Sequence, residues 1–85
     1  MVANNAQLVG IRKYVNQEDP GKSSTTLYFA YQDQYVEGTA TVSFTLWNNS
    51  RTVDPNSLVL KDRYNIFFYR RDKSGYYTLD SIQHV

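Results

Sequence analysis

The chain has 85 residues, no cysteine and one histidine, with nine Lys+Arg against eight Asp+Glu for a net charge of +1. This composition excludes disulfides, thiolate metal sites and cysteine nucleophiles, and the net charge is too small to hold a polyanion unless the basic residues cluster. The length fits one domain, residues 1–85, with a core modest enough that self-association is expected to help it.

No stretch approaches the roughly 20 apolar residues of a membrane span, and Met1–Gln7 lacks the charged and apolar regions of a leader peptide. The expected location is therefore the cytoplasm. Aromatic content is the anomaly: eight Tyr, four Phe and one Trp make up 15% of the chain. That exceeds what so small a core needs, so some rings are expected outside it, although β propensity alone accounts for part of the excess.

Five segments alternate and are separated by turn chemistry, which predicts a β-sandwich or barrel rather than βαβ units. The first runs from Leu8 to Asn16, with Val9, Ile11 and Val15 on the core face, Gly10, Arg12 and Tyr14 on the other, and a bend or bulge at Gly10. The polar stretch 16–24, with Pro20-Gly21, reads as a mobile hairpin loop. Strand two spans Thr25–Gln32, with Leu27, Phe29 and Tyr31 inward and Tyr28 outward. Strand three, Thr39–Trp47, alternates most cleanly: Val42, Phe44 and Leu46 are expected in the core and Trp47 on the polar face.

The stretch 48–57 reads as a connector in which Asp54 caps a turn of helix begun by Pro55. Leu58, Leu60, Tyr64, Ile66 and Phe68 suggest a long fourth strand, broken at Asp62, with Asn65, Phe67, Tyr69 and Arg71 outward. Asp72–Gly75 is a compact turn. Tyr76–Ile82 is the last strand, where Leu79 and Ile82 share a face only if a bulge lies between them. The expected fold is all-β: a five-stranded small barrel, OB-fold-like, with at most a helical turn between strands three and four. An SH3-like barrel or a small open sandwich has the same strand count.

Little here supports catalysis. The carboxylates are scattered singly or in pairs, mostly in turns, and His84 lies next to the C-terminus, where solvent exposure is expected. No enzyme activity, metal, cofactor or small-molecule substrate is expected. Asn48-Asn49-Ser50 matches a glycosylation sequon but has no secretory context, and the four glycines stand singly rather than in a phosphate loop.

What remains is a constellation. Arg12, Tyr14, Tyr28 and Trp47 fall on the predicted outer faces of strands one to three, and Phe67, Tyr69 and Arg71 extend the set onto strand four. Rings stack bases and guanidinium groups neutralise phosphate, a combination suited to single-stranded nucleic acid without sequence preference. Lys13, Lys61, Arg63, Arg70 and Lys73 add basic character nearby. In the plainer reading the arginines are solubilising and Trp47 packs under the connector.

The layout of Leu8–Val15, of Thr25–Tyr31 after a polar loop, and of Leu58–Tyr64 leading into a strand ending near Arg70 resembles the small OB-fold single-stranded DNA-binding proteins of bacterial phages and mobile elements. These include the dimeric binding protein of filamentous phages. The resemblance implies dimeric or cooperative coating of a displaced DNA strand during replication or transfer. The expectation is thus a non-enzymatic single-stranded nucleic-acid binder, with DNA preferred to RNA and a homo-oligomeric state. The alternative is a small phage or plasmid adaptor that docks on a protein through its aromatic surface or a strand edge.

Overall fold

The computed structural model of the chain describes residues 1–47, 53–70 and 76–85. Five strands, β1 (Val2–Tyr14), β2 (Ser24–Tyr31), β3 (Ala40–Trp47), β4 (Arg63–Arg70) and β5 (Tyr77–His84), form one sheet in the order β3-β2-β1-β4-β5. Every neighbouring pair is antiparallel. The sheet curls far enough that its edge strands β3 and β5 touch, but no hydrogen-bonded ladder joins them, so the sheet is not closed.

β1 serves two partners. Its first half pairs with β4, from Val2↔Phe67 to Gln7↔Arg63, and its second half pairs with β2, from Gln7↔Ala30 to Tyr14↔Ser24. Two bulges make this double use possible by bending the strand. At the first, between Ala3 and Ala6, Asn5 takes a left-handed φ of 57°, which asparagine tolerates better than most residues. The backbone groups freed there are not left unpaired: the Asn5 amide donates to Asn65 Oδ1 at 2.9 Å, and Arg63 Nη1 donates to the Asn5 carbonyl at 3.1 Å. The second bulge lies between Leu8 and Gly10.

The core follows from alternation. Leu8 opposes Phe29, and Leu27 opposes Phe44, all of them buried, while Ile66 and Leu79 enter from β4 and β5. Its aromatic rings interlock: Phe29 and Phe44 lie 6.1 Å apart, Phe44 and Phe68 5.4 Å, and Phe29 meets Tyr64 edge-on at 6.5 Å. Buried Tyr64 still needs a partner for its hydroxyl, and finds it by accepting from the Val59 amide at 2.8 Å. That bond pins the turn leading into β4 to the core.

Several sequence expectations hold. Phe44 and Leu46 are buried and Val42 is half-buried. Asp54 caps a short 3₁₀ helix, Pro55–Ser57, by accepting from the Asn56 amide at 2.9 Å. A bulge on β5 brings Leu79 and Ile82 toward the same core, because Phe67 pairs with Ser81 while the next residue, Phe68, pairs with Leu79.

Others need correction. β1 begins at Val2 rather than Leu8, since bulging puts Ala3 and Ala6 inward at a spacing that hides the strand period. Val9 and Val15 are exposed, Val9 because it is the extra residue of the second bulge and Val15 because it lies beyond the strand. Leu58 and Leu60 do not belong to β4: the Asp62 amide donates to the Val59 carbonyl, and Lys61 holds a left-handed φ of 74°. Docking of this turn against Leu8, through Lys61 N–H to Leu8 O at 2.7 Å and Leu8 N–H to Asp62 O at 3.0 Å, holds Lys61 in that conformation. The segment 16–24 does join β1 to β2 as a hairpin connection, and within it Asn16 Oδ1 accepts from the amides of Glu18 and Asp19 while Asp19 caps a second 3₁₀ turn at Pro20–Lys22. The turn expected at 72–75 lies outside the described residues.

His84 is exposed as expected, yet it is held as the last residue of β5, with Nε2 3.0 Å from Asp62 Oδ2 and its ring edge-on to Tyr64 at 5.0 Å. The hydrogen bond to Asp62 raises the His84 pKa above its ordinary value. A raised folded-state pKa means the pair's contribution to stability is complete below pH about 6.5 and fades as pH rises through the folded value. An NMR titration of the ring should give a midpoint above 6.5 that falls in Asp62→Asn.

Candidate nucleic-acid interface

Antiparallel pairing puts directly opposed residues on the same face, so the ladders fix what shares the outer surface. One cross-strand row is Tyr14–Ser24–Trp47, the next Arg12–Thr26–Thr45, the next Gly10–Tyr28–Ser43, and the last Gln7–Ala30–Thr41. Tyr14, Trp47 and Tyr28 are exposed at 52%, 44% and 38%, so each presents part of its ring to solvent. Arg12 is exposed between them.

Distances follow from sheet geometry. Tyr14 and Trp47 stand two strands apart, about 9–10 Å between backbones, flanking a buried Ser24. Tyr28 lies four residues further along β2 than Ser24, roughly 13 Å away. Between these aromatic positions the Thr26 and Thr45 hydroxyls bond each other at 3.2 Å, giving a small polar floor. No Asp or Glu occurs in these four rows.

Gly10 determines how Tyr28 lies. A Cβ at position 10 would sit 3.3 Å from Tyr28 Cδ2 and 3.6 Å from its Cβ, so the ring covers the β1 backbone where glycine leaves room. The ring is thereby held across the sheet instead of projecting freely.

The remaining candidates do not join this group. Phe67 and Tyr69 do face outward, but Phe67 pairs with Val2 and Tyr69 with Thr78. They sit at the opposite end of the 13-residue β1 from Tyr14, a strand that would reach roughly 40 Å if extended and unbent. In a molecule with extents of 44 × 31 × 20 Å, that separates them from the Tyr14–Trp47 row by much of its length. Arg71 lies outside the described residues.

Arg63 is the residue sequence reasoning undervalued. It opposes Gln7 on the outer face, in line with Ala30, and so continues the surface onto β4. The signal was its phase with Asn65 and Phe67. Among the described residues no three of His, Asp and Glu converge as a metal site, and no helix is long and apolar enough to cross a membrane. Comparison with protein-family models, curated proteins and solved structures finds no match to this chain.

Proposed function

We propose that this protein binds single-stranded nucleic acid, DNA in preference to RNA, without sequence preference and without catalysis. The observation that carries the reading is the gathering of Tyr14, Trp47, Tyr28 and Arg12 on one carboxylate-free face, in adjacent rows of β1, β2 and β3. Bases stack on such rings at about 1–3 kcal/mol each, and a guanidinium among them serves phosphate. The strand order, with β3 and β5 converging, supports an OB-like barrel left open along one seam. OB-folds are often partly open and bind oligonucleotides across the face of strands two and three. The same face is the aromatic one here. Coating of a displaced strand in the cytoplasm by a homodimer is the biological form of this proposal.

Trp47 is the chain's only tryptophan and reports on the site directly. Oligo-dT should quench its emission, and the affinity should fall steeply between about 50 and 200 mM salt as condensed counterions cease to drive binding. Absence of quenching and of any mobility shift with dT or rU at low salt would sink the proposal. The second reading, docking on a protein, is favoured by the open edges of β3 and β5. Binding that barely responds to salt would select it.

A further inference from the structure

The Asn4–Asn5 bulge opens a cavity of about 340 Å³ on the outer face of the sheet. Ala30, too small to fill the space, lies in the same row as Gln7 and Arg63, which together with Asn4, Asn5 and Gln32 line the cavity. That volume is at the small end of ligand pockets and is ample for one planar heterocycle. The lining is polar and free of carboxylate: four carboxamides and one guanidinium, with the Tyr31 phenol and the Thr39 hydroxyl beside them.

A carboxamide donates and accepts in one plane, as the edge of a nucleobase does, whereas a guanidinium forks onto phosphate oxygens. Much of this capacity is unspent. Among the described residues Gln7 uses only Nε2, on the Lys61 carbonyl at 3.1 Å, while Arg63 uses Nη1 on the Asn5 carbonyl and makes no ion pair. The position matters as much. Ala30 lies two residues beyond Tyr28 on the same face of β2, so a strand that stacks on Trp47 or Tyr14 and then on Tyr28 reaches the cavity next, about 20 Å from where it began.

We propose that this cavity is a terminal nucleotide subsite, taking one unstacked base against its carboxamides with the adjoining phosphate on Arg63. The inference rests on the reading of the outer face as a single-strand path. It adds that the path has a direction: one end of a bound oligomer enters the cavity and the other lies over Trp47. It also gives a nominally sequence-tolerant surface one place where base identity is felt.

The test uses short oligo-dT carrying an abasic site at the 5′ or the 3′ end, with Trp47 quenching as readout. Wild-type protein should lose about tenfold in affinity for an abasic site at one end and much less at the other. Ala30→Leu, which fills the cavity without removing a hydrogen bond, should bind intact oligomer more weakly and abolish the difference between ends. Arg63→Gln should weaken binding at either abasic position and reduce the salt slope by about one phosphate, a second variant should Ala30→Leu fail to fold. Equal abasic penalties at both ends in the wild type, an end difference that survives in folded Ala30→Leu, or an unchanged salt slope in Arg63→Gln would overturn the subsite and leave the aromatic path standing. No quenching by intact oligo-dT would overturn the path itself, and the subsite with it.

Discussion

Phe44→Ala is expected to lower the urea midpoint and the melting temperature sharply, with the near-ultraviolet dichroism of the packed aromatic rings weakened. Phe44 is 2% exposed, opposes Leu27 across the ladder, and meets both Phe29 and Phe68 ring to ring. Phenylalanine-to-alanine changes in such settings cost about 3–5 kcal/mol, through lost transfer energy and the cavity left behind. A chain of 85 residues holds only about 4–13 kcal/mol in total at the usual stability per residue. The loss therefore takes a large share of the whole. Thr45→Ala, one residue along and on the outer face, is the control, and should shift the urea midpoint little. Equal effects from the two would mean that the register of β3 is wrong.

Tyr28→Ala is expected to weaken oligo-dT binding by about 1–3 kcal/mol, a factor of roughly 5 to 150, with a smaller change in stability. The ring is only partly exposed because it lies over Gly10, so its loss uncovers backbone on β1 as well as removing a stacking platform. Gly10→Ala separates the two effects. It keeps the ring but sets a methyl group 3.3 Å from Tyr28 Cδ2, so the ring must shift by a few tenths of an ångström. Binding should fall less than in Tyr28→Ala. Titrations of both variants at matched salt, beside urea denaturation, check the pair, and an unchanged affinity in Tyr28→Ala would remove that ring from the path.

Sequence alternation was legible wherever a strand has one wet face. β2 and β3 could be read nearly to the residue, and the outward phase of Arg12, Tyr14, Tyr28 and Trp47 came with them. It failed where geometry departs from a two-residue period. Ala3 and Ala6 enter the core across a bulge, three positions apart and with side chains too small to look apolar in sequence, so Val2–Gln7 resembled a tail. Leu58 packs on the core from a connector, and Leu60 is exposed in a turn whose left-handed residue is a lysine, not the glycine that would have announced it. The candidate surface was legible in phase but not in place. Phe67 and Tyr69 do face outward, yet which stretch of β1 receives β4 depends on two bulges and on a pairing of distant segments, and neither appears in local pattern.

That double service of β1 bears on how the molecule comes apart and together. Its second half reaches β2 through one hairpin loop, but its first half must find β4 across 60 positions of chain, the separation of Asn5 from Asn65. Closure over such a distance is entropically the more costly pairing, so Val2–Gln7 is expected to pair with β4 after the β1–β2–β3 meander has formed. Two adjacent asparagines and a pair of alanines make a poor template for stray strand pairing in the meantime. The irregularity that concealed the strand from pattern reading is thus expected also to disfavour aggregation of the folding chain. Replacing Asn4 and Asn5 with valines would regularise the segment at the cost of refolding yield, most visibly at high protein concentration.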